Sequence, residues 1–158
     1  MEPLIHGGAS TTIYRSGTPD SPAAVACAKA LEFAVRELDA RLETVTARNQ
    51  KLRTELAKNP RVRINSPENA VPHILNLSVS GIMGEEMRRL LDDRGIAVSV
   101  KSACSVLNTP SRAVMAITHD RKNALSSWRI SLSHLTTDDE IARFVSILNE
   151  IISEVTNA

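Results

Sequence analysis

Aromatic side chains are nearly missing: one Trp, one Tyr and two Phe make up 3% of 158 residues. Stacking on bases or sugars is therefore not this chain's theme. Cysteine is equally scarce, with only Cys27 and Cys104, far apart and without metal-type spacing. His6, His73, His119 and His134 share no ligand spacing either, so no metal site is expected. No apolar stretch approaches the roughly 20 residues of a membrane span. The first residues, Met1 to His6, lack a basic leader before an apolar run. Charge is balanced, with a formal net charge of +1 and a pI of about 7.9, so no strong field points to nucleic acid or to a membrane surface. A cytoplasmic, reduced protein is the expectation.

At 42% apolar residues, 158 residues can bury one core and not two comfortable ones, which predicts a single domain. Residues 6–18 are rich in Gly, Ser and Thr and show no period, as a long loop would. Ser21-Pro22 reads as a helix start. Leu31, Val35, Leu38, Leu42, Val45, Asn49, Leu52 and Leu56 then recur at spacings of four and three, the stripe of one long helix buried along one face and ended by Asn59-Pro60. Asn49 is expected there as a hydrogen-bonded exception in the core.

Alternation predicts strands over 61–65, 73–79, 96–100 and 127–133, the last with Trp128, Ile130 and Leu132 on one face and Arg129 with serines on the other. Gly84-Glu85-Glu86 opens a helix closed by Arg94-Gly95, and Ser111 to Ile117 suits a short one. Thr137 to Glu140 fits a capping box for a last helix with Ile141, Phe144, Val145, Leu148, Ile151, Ile152 and Val155 as its core stripe. Strands and helices mixed without regular alternation predict an α+β fold, a mainly antiparallel sheet with helices packed on one side.

Three features could carry chemistry. Cys104 sits in a polar Ser-Ala-Cys-Ser exit from a strand, with Lys101 three residues earlier, and a nearby cation favours the nucleophilic thiolate. An incidental surface thiol is the alternative. Cys27, in a small apolar helical run, is expected in the core. Arg129 is either an exposed sheet charge or internal ion pair, or a guanidinium placed to hold a carboxylate by two parallel hydrogen bonds. The Gly/Ser/Thr loop is either a plain connection or a cradle whose N–H groups and hydroxyls could surround phosphate, helped by Arg15.

In this order, His6-Gly7-Gly8 with Arg15-Ser16-Gly17-Thr18, then Pro72 to Ser78, Ser102-Ala103-Cys104-Ser105 and Ser127 to Leu132 resemble the C-terminal part of the cysteine desulfurases. These are pyridoxal-phosphate enzymes of the aminotransferase class V group. The resemblance covers nearly the whole chain. It implies a loop from the domain junction over 1–20 and a small C-terminal domain over 21–158, within the fold-type I architecture. It also implies that Cys104 takes sulfur from L-cysteine as a persulfide and leaves L-alanine. Arg129 would bind the substrate carboxylate. Thr18 would reach the phosphate of pyridoxal 5'-phosphate in the neighbouring subunit of a homodimer. A sulfur-acceptor protein, in iron–sulfur cluster assembly or elsewhere, would be the partner, with no nucleic acid and no membrane involved.

The family's Gly-Gln-Glu after His-Gly-Gly is here Ala9-Ser10-Thr11, and its glycine before Ser-Ala-Cys is Lys101. None of Lys29, Lys51, Lys58, Lys101 or Lys122 sits in the motif of the lysine that holds the cofactor. The resemblance thus implies a chain that is not a competent desulfurase alone. A non-catalytic sulfur carrier or partner-binding module is the alternative.

Overall fold

The computed structural model describes residues 2, 3, 5–8, 14–100 and 109–157. They form α1 (Ser21–Arg36), α2 (Leu38–Leu56), β1 (Val62–Ile64), β2 (Ile74–Val79), α3 (Gly84–Asp92), α4 (Arg112–Thr118), α5 (Arg121–Ser126), β3 (Ser127–Ser131) and α6 (Asp138–Asn157). The chain divides into two compact units, Met1–Asp39 and Ala40–Ala158. No helix among the described residues is long and apolar enough to cross a membrane.

In the first unit, Ile5 bridges Arg15 in parallel, and the Ser16 N–H donates to the Ile5 carbonyl at 3.2 Å. Gly7 lies so close that a Cβ there would stand 2.6 Å from Ser16 Oγ. The two glycine-bearing pieces of the loop thus lie side by side. The cap of α1 is Asp20, one residue before the serine the sequence suggested; its carboxylate accepts from the Ala23 N–H at 3.0 Å. An ionised oxygen held one turn below the free amides is the stronger acceptor there.

The single long helix expected over this region is two helices, interrupted at Glu37. Its stripe is buried only from Val45, at 0% exposure, through Asn49, Leu52 and Leu56; Leu31 and Val35 are 63% and 66% exposed, and Leu38 and Leu42 are exposed as well. Cys27 is likewise exposed, not in the core. Periodicity identifies which residues share a helix face, but does not say what covers it.

The second unit is built on an antiparallel sheet of order β1-β2-β3. Register sets Leu75 opposite Ile130 and Leu77 opposite Trp128, all buried on one face. There they join Val45, Leu52 and Leu56 of α2, Met87 and Leu91 of α3, and Ile141, Phe144, Leu148, Ile151 and Ile152 of α6 in one core. Asn49 keeps its place in this core because its amide donates to the Pro72 carbonyl at 2.9 Å and its Oδ1 accepts from Arg53 Nε at 2.8 Å. The capping box holds: the Thr137 N–H donates to Glu140 Oε2 at 2.7 Å and the Glu140 N–H donates to Thr137 Oγ1 at 3.2 Å.

The fold is therefore α+β, as the patterning predicts, with two further departures in detail. Residues 96–100 form no strand; only Ser99 pairs with β3, while Ile96 N–H is spent on the Leu91 carbonyl that closes α3. Helix α5, too short to show a period, was not expected at all. It is capped by Asp120, whose side chain accepts from the Asn123 N–H at 3.0 Å.

Candidate functional site

Arg129 occupies the middle of β3, between buried Trp128 and Ile130, so strand geometry turns its side chain away from the core. Its N–H donates to the Ser99 carbonyl at 2.7 Å and its carbonyl accepts from the Ser99 N–H at 3.1 Å. The backbone is thereby held on both counts. The guanidinium is exposed and, among the described residues, takes part in no hydrogen bond or ion pair. Of the two readings of Arg129 left open above, an internal ion pair finds no partner there.

On its other side Arg129 faces Asn76 of β2, and Asn76 adjoins Asn65 just beyond β1. Ser99, Arg129, Asn76 and Asn65 thus make a polar row across the sheet face opposite the core. Hydrogen bonds run through part of it. Asn65 Nδ2 donates to Asn76 Oδ1 at 2.9 Å and to Ser78 Oγ at 2.8 Å, and Asn123 Nδ2 donates to Asn65 Oδ1 at 2.8 Å. Ser78 Oγ in turn donates to the Asn123 carbonyl at 3.1 Å. Of this network the sequence patterns contain Asn65, Asn76 and Ser78 only as members of strands. The usable signal was alternation: with Leu75, Leu77 and Val79 inward, Asn76 and Ser78 must share the face of Arg129.

Thr18 lies exposed in the first unit, one residue after Gly17, whose φ is +109°. Cys104 and Lys101 lie outside the described residues. The described lysines do not suit a covalent cofactor anchor, which needs a desolvated amine that can lose its proton. Lys29, Lys51 and Lys58 are exposed and ion-paired with Glu32, Asp138 and Glu55, and Lys122 is exposed. Among the described residues no group of three or more His, Cys, Asp or Glu side chains could hold a metal ion.

Residues 6–144 match the aminotransferase class-V family model. The cysteine desulfurase IscS of Methanosarcina thermophila is 30% identical over 159 residues, 99% of this chain and 39% of that protein. A mitosomal cysteine desulfurase of Encephalitozoon cuniculi is 35% identical over 143 residues, 89% of this chain and 33% of its own length. Among solved structures, a NifS-like protein superposes with a TM-score of 0.79 at 32% identity, covering 97% of this chain and 39% of the other. A NifS-like protein from Rickettsia africae gives a TM-score of 0.76 at 25% identity. This chain spans between a third and two fifths of the length of these relatives. A family match running from the loop at His6 into α6, carried on the same α+β fold, leaves one conclusion: the chain belongs to the aminotransferase class-V family.

Proposed function

We propose that this chain is the C-terminal, sulfur-accepting portion of a cysteine desulfurase, in which Arg129 binds the carboxylate of L-cysteine and Cys104 receives its sulfur as a persulfide, with L-alanine as the other product. The observation that carries the reading is Arg129 itself: its backbone is held by its strand, while its guanidinium is open to solvent and without a protein partner among the described residues, within a chain similar along nearly all its length to cysteine desulfurases. The planar fork of N–H donors on an exposed guanidinium matches a carboxylate bidentately. Cys104, in its polar Ser-Ala-Cys-Ser segment, supplies the thiolate that accepts sulfur.

Pyridoxal 5'-phosphate supplies the electron sink that breaking a carbon–sulfur bond requires. Its covalent lysine belongs to the part of the enzyme that this chain does not match, and Thr18 contributes a hydroxyl toward the phosphate across a homodimer. A sulfur-acceptor protein then takes the persulfide sulfur.

The test is reconstitution. The chain mixed with pyridoxal phosphate and L-cysteine should release no sulfide above background. Combined with a polypeptide carrying the lysine-bearing portion, it should release sulfide and gain one sulfur atom on the Cys104 peptide by mass spectrometry. Turnover by the chain alone, or undiminished sulfide release after Cys104→Ala in the reconstituted enzyme, would refute the proposal.

A further inference from the structure

The pairing of β2 with β3 sets Asn76 directly beside Arg129. The Asn76 N–H donates to Ser66 Oγ at 2.8 Å, and its carbonyl accepts from the Asn65 and Ser66 N–H groups at 2.8 and 3.2 Å. Both backbone groups of Asn76 therefore turn toward β1. Those of Arg129 turn the opposite way, to Ser99. Asn76 and Arg129 are thus a non-hydrogen-bonded antiparallel pair, the type whose Cα atoms stand about 4.5 Å apart and whose side chains lie closest.

The direction in which the Asn76 amide points is decided from a distance. The Asn123 backbone carbonyl can only accept, so the Ser78 hydroxyl spends its single proton on it. Ser78 Oγ must then accept from Asn65, which turns the Asn65 NH2 group toward Ser78 and Asn76 and its Oδ1 toward the Asn123 NH2 group. Asn76 meets that NH2 with its oxygen. One end of the relay is a backbone carbonyl, and the other is the Asn76 NH2 group. That group has no acceptor among the described residues, and it belongs to the side chain beside an equally unpartnered guanidinium.

We propose that Asn76 is a second ligand-binding residue of this site, its Nδ2 donating to the carboxylate held by Arg129, with the relay through Asn65, Ser78 and Asn123 keeping the amide in its donating orientation. The inference rests on the reading of Arg129 as a carboxylate clamp and deepens it: the clamp has donors from two strands, and it takes the carboxylate of an amino acid. An arginine alone grips the carboxylate with its fork but leaves the pair free to move together on an exposed, otherwise unheld side chain. A donor from the neighbouring strand removes that freedom and fixes the direction in which the rest of the substrate leaves the clamp.

Titrating the isotopically labelled 158-residue chain with sodium propionate, at constant ionic strength set with sodium chloride, tests this by nuclear magnetic resonance. The Asn76 side-chain NH2 and the Arg129 Nε–H resonances are expected to move along one saturating curve. Asn76→Ala, and the nearly isosteric Asn76→Leu, should weaken binding roughly threefold to tenfold, the loss of one solvent-exposed hydrogen bond of ordinary net strength. Movement of Arg129 with a stationary Asn76 amide would overturn the role of Asn76 while leaving the arginine reading intact. If neither moves, or if chloride alone produces the same shifts, both fall. The wild-type titration decides the matter even if a variant fails to fold.

Discussion

Trp128 and Phe144 meet edge to face, their ring centroids 6.1 Å apart and their planes inclined at 63°. The contact ties β3 to α6 directly behind Arg129, so the strand that displays the guanidinium on one face is anchored by the indole on the other. Trp128 is completely buried, and its indole N–H has no hydrogen-bond partner among the described residues. A buried donor left unpaired costs about 1–3 kcal/mol.

Trp128→Phe should therefore be mild. It removes the unpaired N–H and leaves a void, two effects of opposite sign and similar size, and a net loss under about 1.5 kcal/mol is expected. Trp128→Ala, which removes the whole aromatic contact, should cost about 3–5 kcal/mol. Because Trp128 is the only tryptophan, unfolding in urea must be followed by far-ultraviolet circular dichroism and not by fluorescence. Equal costs for the two variants would mean that the indole N–H has found an acceptor.

Asn49 calls for a different substitution. Its two amide atoms join α2 to the segment before β2 through the Pro72 carbonyl and to Arg53 one turn on. Asn49→Leu keeps the volume and suits an apolar core, yet it strands the Pro72 carbonyl. A loss of about 1–3 kcal/mol is expected despite the gain in hydrophobicity. A stabilised variant in the same unfolding assay would show that water replaces the amide.

How far the sequence revealed this architecture depended on whether a pattern had enough residues to repeat. Trp128, Ile130 and Leu132 alternate over a full strand, and α6 carries its stripe over about four turns with a capping box at its start, so both were legible. Helix α5 has six residues, less than two turns, and nothing periodic to read. The expected strand at 96–100 alternates correctly, and Ile96, Val98 and Val100 do pack against the core, but burial on one side does not create a ladder when only Ser99 finds a partner. The expectation failed for Cys27 and Leu31 because small or apolar residues in helical spacing say nothing of what lies opposite. Arg129 was legible from alternation alone, whereas its neighbour Asn76 required the register of β2 against β3, which is a tertiary fact.

The start of α6 sets a pH dependence. Glu140 is held below the ordinary glutamate range by the hydrogen bond from the Thr137 backbone N–H and then by the Thr137 hydroxyl. Asp138 is lowered by its hydrogen bond from Lys51 and by that residue's charge. A carboxyl whose folded-state pKa is depressed contributes stability that is fully present above its unfolded value, about 4.3 for Glu and 3.9 for Asp, and is lost as pH falls through the folded value. The melting temperature should therefore decline as pH drops below about 4.5, and Glu140→Gln should flatten that decline while lowering the plateau at neutral pH. Parallel curves for wild type and Glu140→Gln between pH 3 and 7 would remove the capping carboxylate from the explanation.

Arg129 should be dispensable for folding. Its backbone pairs with Ser99 whatever the side chain, and its exposed guanidinium makes no hydrogen bond or ion pair among the described residues. Arg129→Gln is expected to change unfolding free energy by no more than about 0.5 kcal/mol, as for a surface substitution away from any packed feature. In the reconstituted enzyme the same change should chiefly raise the KM for L-cysteine, since a donor to the substrate carboxylate acts before and throughout the reaction. Arg129→Lys should restore only part of the affinity, because an ammonium group keeps the charge and loses the two parallel donors. A large loss of stability in the glutamine variant would place the guanidinium in the fold, and an unaltered KM would take the substrate carboxylate away from it.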